Sequence, residues 1–206
     1  MQQNSLAPGL PLGPAYWQQA NAQLKSIRML ALAGLVSAMI IVLKGMPVLL
    51  IGTTLKIQFT FLVISVGCYV YGPTVGILVG MVTDTLGFLV SNFGDPYFPG
   101  YMITAMLSGL IYGLFLFRQR LTILRLIILR LVINYGINVL LGSVWKAMLF
   151  GKGYYYYFTT GLVKNTLMLP VEIILTVAVF RLLLPTLRRS GLVPSTGNEK
   201  GRIPWF

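Results

Sequence analysis

The chain has 206 residues, 56% of them hydrophobic and only 10% charged, with a mean hydropathy of +0.81 and a formal net charge of +12. A soluble domain is roughly a quarter charged, so this composition excludes one and describes a membrane protein. Four acids, one cysteine and no histidine further exclude most catalytic and metal-binding arrangements.

Residues 1–24 carry no charge before Lys25 and contain three prolines, which fits neither a secretory signal nor a stable helix. They are expected to form a flexible or surface-lying arm. Apolar runs then cover 25–44, 54–71, 73–91, 97–117, 122–150 and 158–184. Each is near or above the roughly 18 residues that cross a bilayer. Lipid demands internally satisfied backbone hydrogen bonds, and the runs lack the polar–apolar alternation of a barrel, so they read as helices. The expected fold is an all-α membrane protein, six transmembrane helices in one bundle over residues 25–185. The tail, 186–206, has turn formers and no apolar period and is expected to be disordered.

Basic residues set the orientation. With both termini cytoplasmic, Lys25, Arg28, Arg118, Arg120, Arg125, Arg130, Arg181, Arg188, Arg189, Lys200 and Arg202 lie inside. Lys44, Lys56, Lys146, Lys152 and Lys164 lie outside, and the positive-inside rule favours this arrangement. Phosphate-rich leaflets account for the inner arginines. The expected surroundings are a lipid bilayer, with no nucleic acid.

Catalytic chemistry is missing from the pattern. No P-loop, no nucleophile with a neighbouring base and no convergent metal ligands are present, so no catalytic residue, metal or cofactor is expected. The lone Cys68 reads as a small buried hydrophobe. What remains is a binder whose polar groups gather in the outward half: Lys56, Asp84, Asn92, Asp95, Tyr97, Trp145, Lys146, Lys152, Tyr154 to Tyr157, Lys164 and Asn165. Ionisable groups at membrane depth default to function, whereas GYYYYF also suits an interfacial aromatic belt. Asn134, Asn138 and Trp145 share one helical stripe, and Lys164, Met168 and Glu172 another. Two facing polar stripes suggest a lined cavity, with Asn134 read as glue between helices. Asp84 lies about 10 Å below its helix end, where it either pairs with a lysine such as Lys56 or Lys164 or accepts donors from a ligand.

The runs FGDPYFPGYMITAMLSGLIYGLFL and VKNTLMLP, with the looser YGPTVG, resemble the substrate-binding S components of energy-coupling factor (ECF) vitamin transporters, specifically the folate branch, FolT. The resemblance covers about residues 25–185 and implies a high-affinity folate-capture subunit in the cell membrane. It also implies partnership with a scaffold membrane subunit, EcfT, and two EcfA-type ATPases, with release by toppling of the S component. The implied ligand residues are Lys56, Asp84, Asn92, Tyr97, Phe98, Asn138, Trp145, Lys164 and Asn165. On that reading Asp84 accepts the paired pterin donors, Tyr97 and Trp145 sandwich the rings, and lysines meet the glutamate. SNFGDPYFPG becomes a loop closing over the vitamin, with Asp95 shaping its turn. Ala33 with Ser37, and Gly34 with Ala38, form small-residue pairs that the resemblance assigns to scaffold docking. Gly161 stands where the family pattern has a basic residue, and Glu172 where it has glutamine. The alternatives are an S component for another vitamin and an intramembrane lipid-modifying enzyme.

Overall fold

A computed structural model describes residues 13–45, 50–51, 55–56, 59–90, 97–151, 153–193 and 203–205. The helices are α1 (Pro14–Gln23), α2 (Ile27–Gly45), α3 (Thr60–Val90), α4 (Pro99–Leu116), α5 (Ile123–Phe150) and α6 (Tyr154–Arg189). Between α2 and α3 the two-residue strands β1 (Leu50–Ile51) and β2 (Leu55–Lys56) pair antiparallel, and they are the only strands among the described residues. Helices α2 to α6 are each long and apolar enough to cross a membrane.

Five long helices supply six helical segments, because α3 folds back on itself. Gly72 has φ 81° and ψ −174°, a conformation that residues with a Cβ avoid, and Pro73 follows it. On a straight helix Thr60 and Asp84 would stand about 36 Å apart, yet both line one cavity. Likewise Cys68 Sγ lies 3.0 Å from the place where a Cβ on Gly76 would be. The halves 60–71 and 73–90 therefore run alongside one another, and the break falls between the runs expected over 54–71 and 73–91. The second half then meets α4 backbone to backbone. A Cβ on Gly76 would sit 2.7 Å from the Gly109 carbonyl oxygen, and one on Gly113 would strike Pro73. Without a hydrophobic force between helices in lipid, such close packing is a main source of association.

Helix α5 is α-helical over Ile123–Leu131, π-helical over Val132–Leu141 and α-helical again over Gly142–Phe150. Its wider middle turns rotate each residue less, which moves its cavity-facing line relative to an ideal helix.

Two expectations are corrected at the end of the bundle that carries the chain termini. Residues 14–23, expected to form no stable helix, form α1 because Pro14 occupies a first-turn position where no N–H is needed. Tyr16 and Ala20, one turn apart, are buried, and the Tyr16 hydroxyl donates to the Gly113 carbonyl at 3.0 Å. Burial raises the Tyr16 phenol above its ordinary pKa, so it remains a donor. The tail is not wholly without structure either. Helix α6 continues to Arg189, and residues 203–205 return to α5, where the carbonyls of Pro204 and Trp205 accept from the backbone N–H of Ile123 and Leu124. Those N–H groups are the unpaired donors of a helix start, which explains why an apolar-poor tail is held there.

Candidate functional site

Helices α2 to α6 enclose a cavity of about 480 Å³, within the range of small-molecule sites. Among the described residues its charged lining is Lys44, Asp84, Arg130, Lys146, Lys164 and Glu172, joined by Phe61, Tyr101, Thr104, Tyr112, Asn138 and Asn165. Of the expected α5 stripe only Asn138 lines it, facing Lys164, Met168 and Glu172 of the α6 stripe.

The deep end is built around one arginine. Arg130 is 2% exposed, and its guanidinium lies 4.1 Å from the centre of the Phe61 ring. It donates to the Tyr112 hydroxyl at 2.6 Å and pairs with Glu172 Oε2 at 2.5 Å. Asn134 Nδ2 donates to the same carboxylate oxygen at 2.6 Å. Asn134 thus joins α5 to α6, the gluing role expected of it. Arg130, read from sequence as an inner basic residue facing lipid phosphate, is corrected by this geometry. A buried guanidinium costs several kcal/mol unless paired, and Glu172 is the acid that reaches it. Glu172 Oε1 receives no hydrogen bond among the described residues.

A second pair stands higher in the wall. Lys44 Nζ lies 3.8 Å from Asp84 Oδ1 and donates to the Thr83 carbonyl at 3.0 Å. Asp84 does line the cavity, and among the described residues its lysine partner is Lys44 rather than Lys164, while the Lys56 side chain lies outside the described residues. Lys146 and Lys164 lie at the open end, exposed and near enough to repel each other, and neither has an acidic partner among the described residues. Beside them the Phe98 and Trp145 rings sit 5.6 Å apart, and Trp145 Nε1 donates at 3.0 Å to Thr104, which lines the cavity. Gly100 permits this, since a Cβ there would come within 2.7 Å of the indole.

Of the expected ligand residues, Asp84, Asn138, Lys164 and Asn165 line the cavity, while Phe98 and Trp145 stand behind the wall at its rim. The π-helical turns account for Trp145 falling behind, because they bring Lys146 onto the line of Asn138 and Gly142. Tyr97 packs on Phe88 with centroids 5.1 Å apart and bonds Met102, away from the cavity. Asn92 and Asp95, and the Lys56 side chain, lie outside the described residues, as does Lys152. Sequence reading missed Arg130, Phe61, Tyr112 and Lys44 as site residues. One signal was present: an arginine deep in an apolar run, in a chain with only two intramembrane acids, must find one of them. The small pairs on α2 separate. Ala33 and Ser37 are buried inside this chain, whereas Gly34 and Ala38 face outward with open space around Gly34.

A family model described as ECF transporter, substrate-specific component, matches residues 28–180. Two relatives are each called a folate transporter FolT. That of Clostridium novyi (strain NT) is 29% identical over 120 residues, 58% of this chain and 69% of the relative. That of Leuconostoc mesenteroides subsp. mesenteroides is 29% identical over 137 residues, 61% of this chain and 71% of the relative. A crystal structure of FolT bound with folic acid superposes with a TM-score of 0.64 at 29% identity, covering 73% of this chain and 91% of that one. The match over most of the helical bundle removes the lipid-modifying enzyme from consideration: the chain belongs to the family of substrate-specific components of ECF transporters.

Proposed function

We propose that this chain captures folate for an ECF transporter. The observation that carries the reading is the charge balance of the cavity. Among the described residues four cations and two anions line it, Lys44, Arg130, Lys146 and Lys164 against Asp84 and Glu172. Two ion pairs cancel within it, so the remaining +2 sits on Lys146 and Lys164 at the mouth. Folate matches that balance, with two carboxylates on one end of a long molecule and a flat, uncharged heteroaromatic ring on the other. The relatives called FolT, and the FolT structure holding folic acid, support the same choice. The exposed lysines attract an anionic vitamin, and Phe98 with Trp145 form an aromatic rim.

The mouth faces outside the cell membrane, with both termini cytoplasmic. The chain docks through the Gly34 and Ala38 face of α2 on an EcfT scaffold subunit energised by two EcfA-type ATPases. Ala33 and Ser37, buried in the bundle, set the position of that face. Calorimetric titration of the purified protein with folic acid, riboflavin and thiamine tests the ligand. Saturable binding of folic acid alone is expected, and tighter binding of either other vitamin would refute the assignment.

A further inference from the structure

We propose that the cavity reads its ligand by polarity along its length, with Glu172 as the heterocycle receptor. Glu172 Oε1 at the deep end accepts the adjacent N–H donors of a 2-amino-4-oxo heterocycle, while Lys146 and Lys164 at the mouth hold the carboxylates of the tail. Asp84, the carboxylate that sequence singled out, is then a wall charge held by Lys44. The proposal rests on the folate reading and specifies which way the molecule enters.

Three observations carry it. Glu172 is pre-oriented: one oxygen is held by Arg130 and Asn134 at 2.5 and 2.6 Å, and the lone pairs of the other are free. Two free lone pairs on one carboxylate oxygen suffice for an adjacent pair of N–H donors. Among the described residues Asp84 has a loose 3.8 Å contact to Lys44, so its carboxylate is less firmly aimed. The second observation is spacing. Lys164 and Glu172 are eight residues apart on α6, about 12 Å by helical rise, a separation that suits an extended ligand. The third is sign. The reverse orientation would press a dianionic tail against the Glu172 carboxylate and leave Lys146 and Lys164 without an anion.

The test titrates the full-length protein in detergent with folic acid and with its dimethyl ester, which keeps the heterocycle and loses both tail charges. Glu172→Gln is expected to weaken both ligands about tenfold, the loss of a hydrogen bond to a charged group. Lys146→Met and Lys164→Met are each expected to weaken folic acid about fivefold, as suits exposed charges, and the ester less than twofold. Asp84→Asn should shift either ligand less than Glu172→Gln does. If Asp84→Asn costs tenfold for both ligands and Glu172→Gln costs nothing, the assignment to Glu172 is wrong. Equal losses of acid and ester in the two lysine variants overturn the orientation, and these variants remain informative if Glu172→Gln fails to fold. Failure of the unsubstituted protein to bind folic acid at all would instead refute the folate reading itself.

Discussion

Replacing Arg130 by methionine removes a buried cation while roughly keeping the volume of its stem. In the intact protein the guanidinium is 2% exposed and the Glu172 side chain 15%, so solvent screens the pair weakly. The variant leaves the carboxylate with Asn134 as its only side-chain donor among the described residues, and it leaves the Tyr112 hydroxyl without its donor. Breaking a buried pair from one side costs about 3–5 kcal/mol, because the remaining charge is uncompensated. For a chain of this size each kcal/mol moves the melting temperature by about 2–4 °C, so a fall of about 10 °C is expected. Removing both charges in Arg130→Met/Glu172→Gln should recover most of that fall, since the stranded carboxylate is gone. Thermal unfolding of the detergent-solubilised, ligand-free protein, followed by tryptophan fluorescence, measures both variants. A single variant within 2 °C of the unsubstituted protein would show that the pair is not a buried structural charge couple. A double variant as unstable as the single would show that packing, not charge, dominates.

Other expectations follow from the same geometry. Gly109→Leu places a side chain against the backbone of Gly76 and should separate α3 from α4, seen as loss of monodisperse protein on size-exclusion chromatography; normal elution and melting would discount the seam. Trp145 lies at the rim while Trp17 is on α1 and Trp205 in the tail, so folic acid should quench fluorescence through Trp145. In Trp145→Phe most of that quench should vanish while calorimetric binding persists, and a full quench would misplace the indole. Gly34→Trp, on an outward face, should abolish vitamin uptake by cells carrying the complete transporter yet leave folate binding by the isolated chain unchanged. Ala33→Trp, inside the bundle, should instead lower the yield of folded protein, and the reverse pattern would exchange the roles of the two faces. Tyr16→Phe removes the bond to Gly113 and should cost about 1 kcal/mol, read as faster amide exchange in α1.

Much of the fold was legible because a bilayer imposes few solutions. Apolar runs of sufficient length must be helices, and the break at Gly72 and Pro73 was visible as a composition cue. The polar stripe on α6 was legible too, since helical spacing alone places Lys164 and Glu172, whereas of the α5 stripe only Asn138 reaches the cavity. Less visible were features that depend on cancellation between distant segments. Arg130 and Glu172 are 42 positions apart (172 − 130), and nothing local distinguishes an arginine that meets lipid phosphate from one buried against an acid. Helix α1 escaped notice because its stability comes from Tyr16 and Ala20 packing on Phe117 and Gly113, not from its own propensity.

By itself the sequence determined that this is a membrane-embedded helical protein with a few polar groups concentrated where a ligand would bind. Those conclusions rest on composition and on periodicity, which are local properties. Only the tertiary structure decided which polar groups satisfy one another and which stay open. Among the described residues Lys44 neutralises Asp84, Arg130 neutralises Glu172, and Lys146 and Lys164 are left with charge to offer. The reason is that electrostatic pairing in a low-dielectric interior is set by distances of a few ångströms between helices. The π-helical turns of α5 change which residue faces the cavity, and no count of residues along the chain fixes distances of that kind.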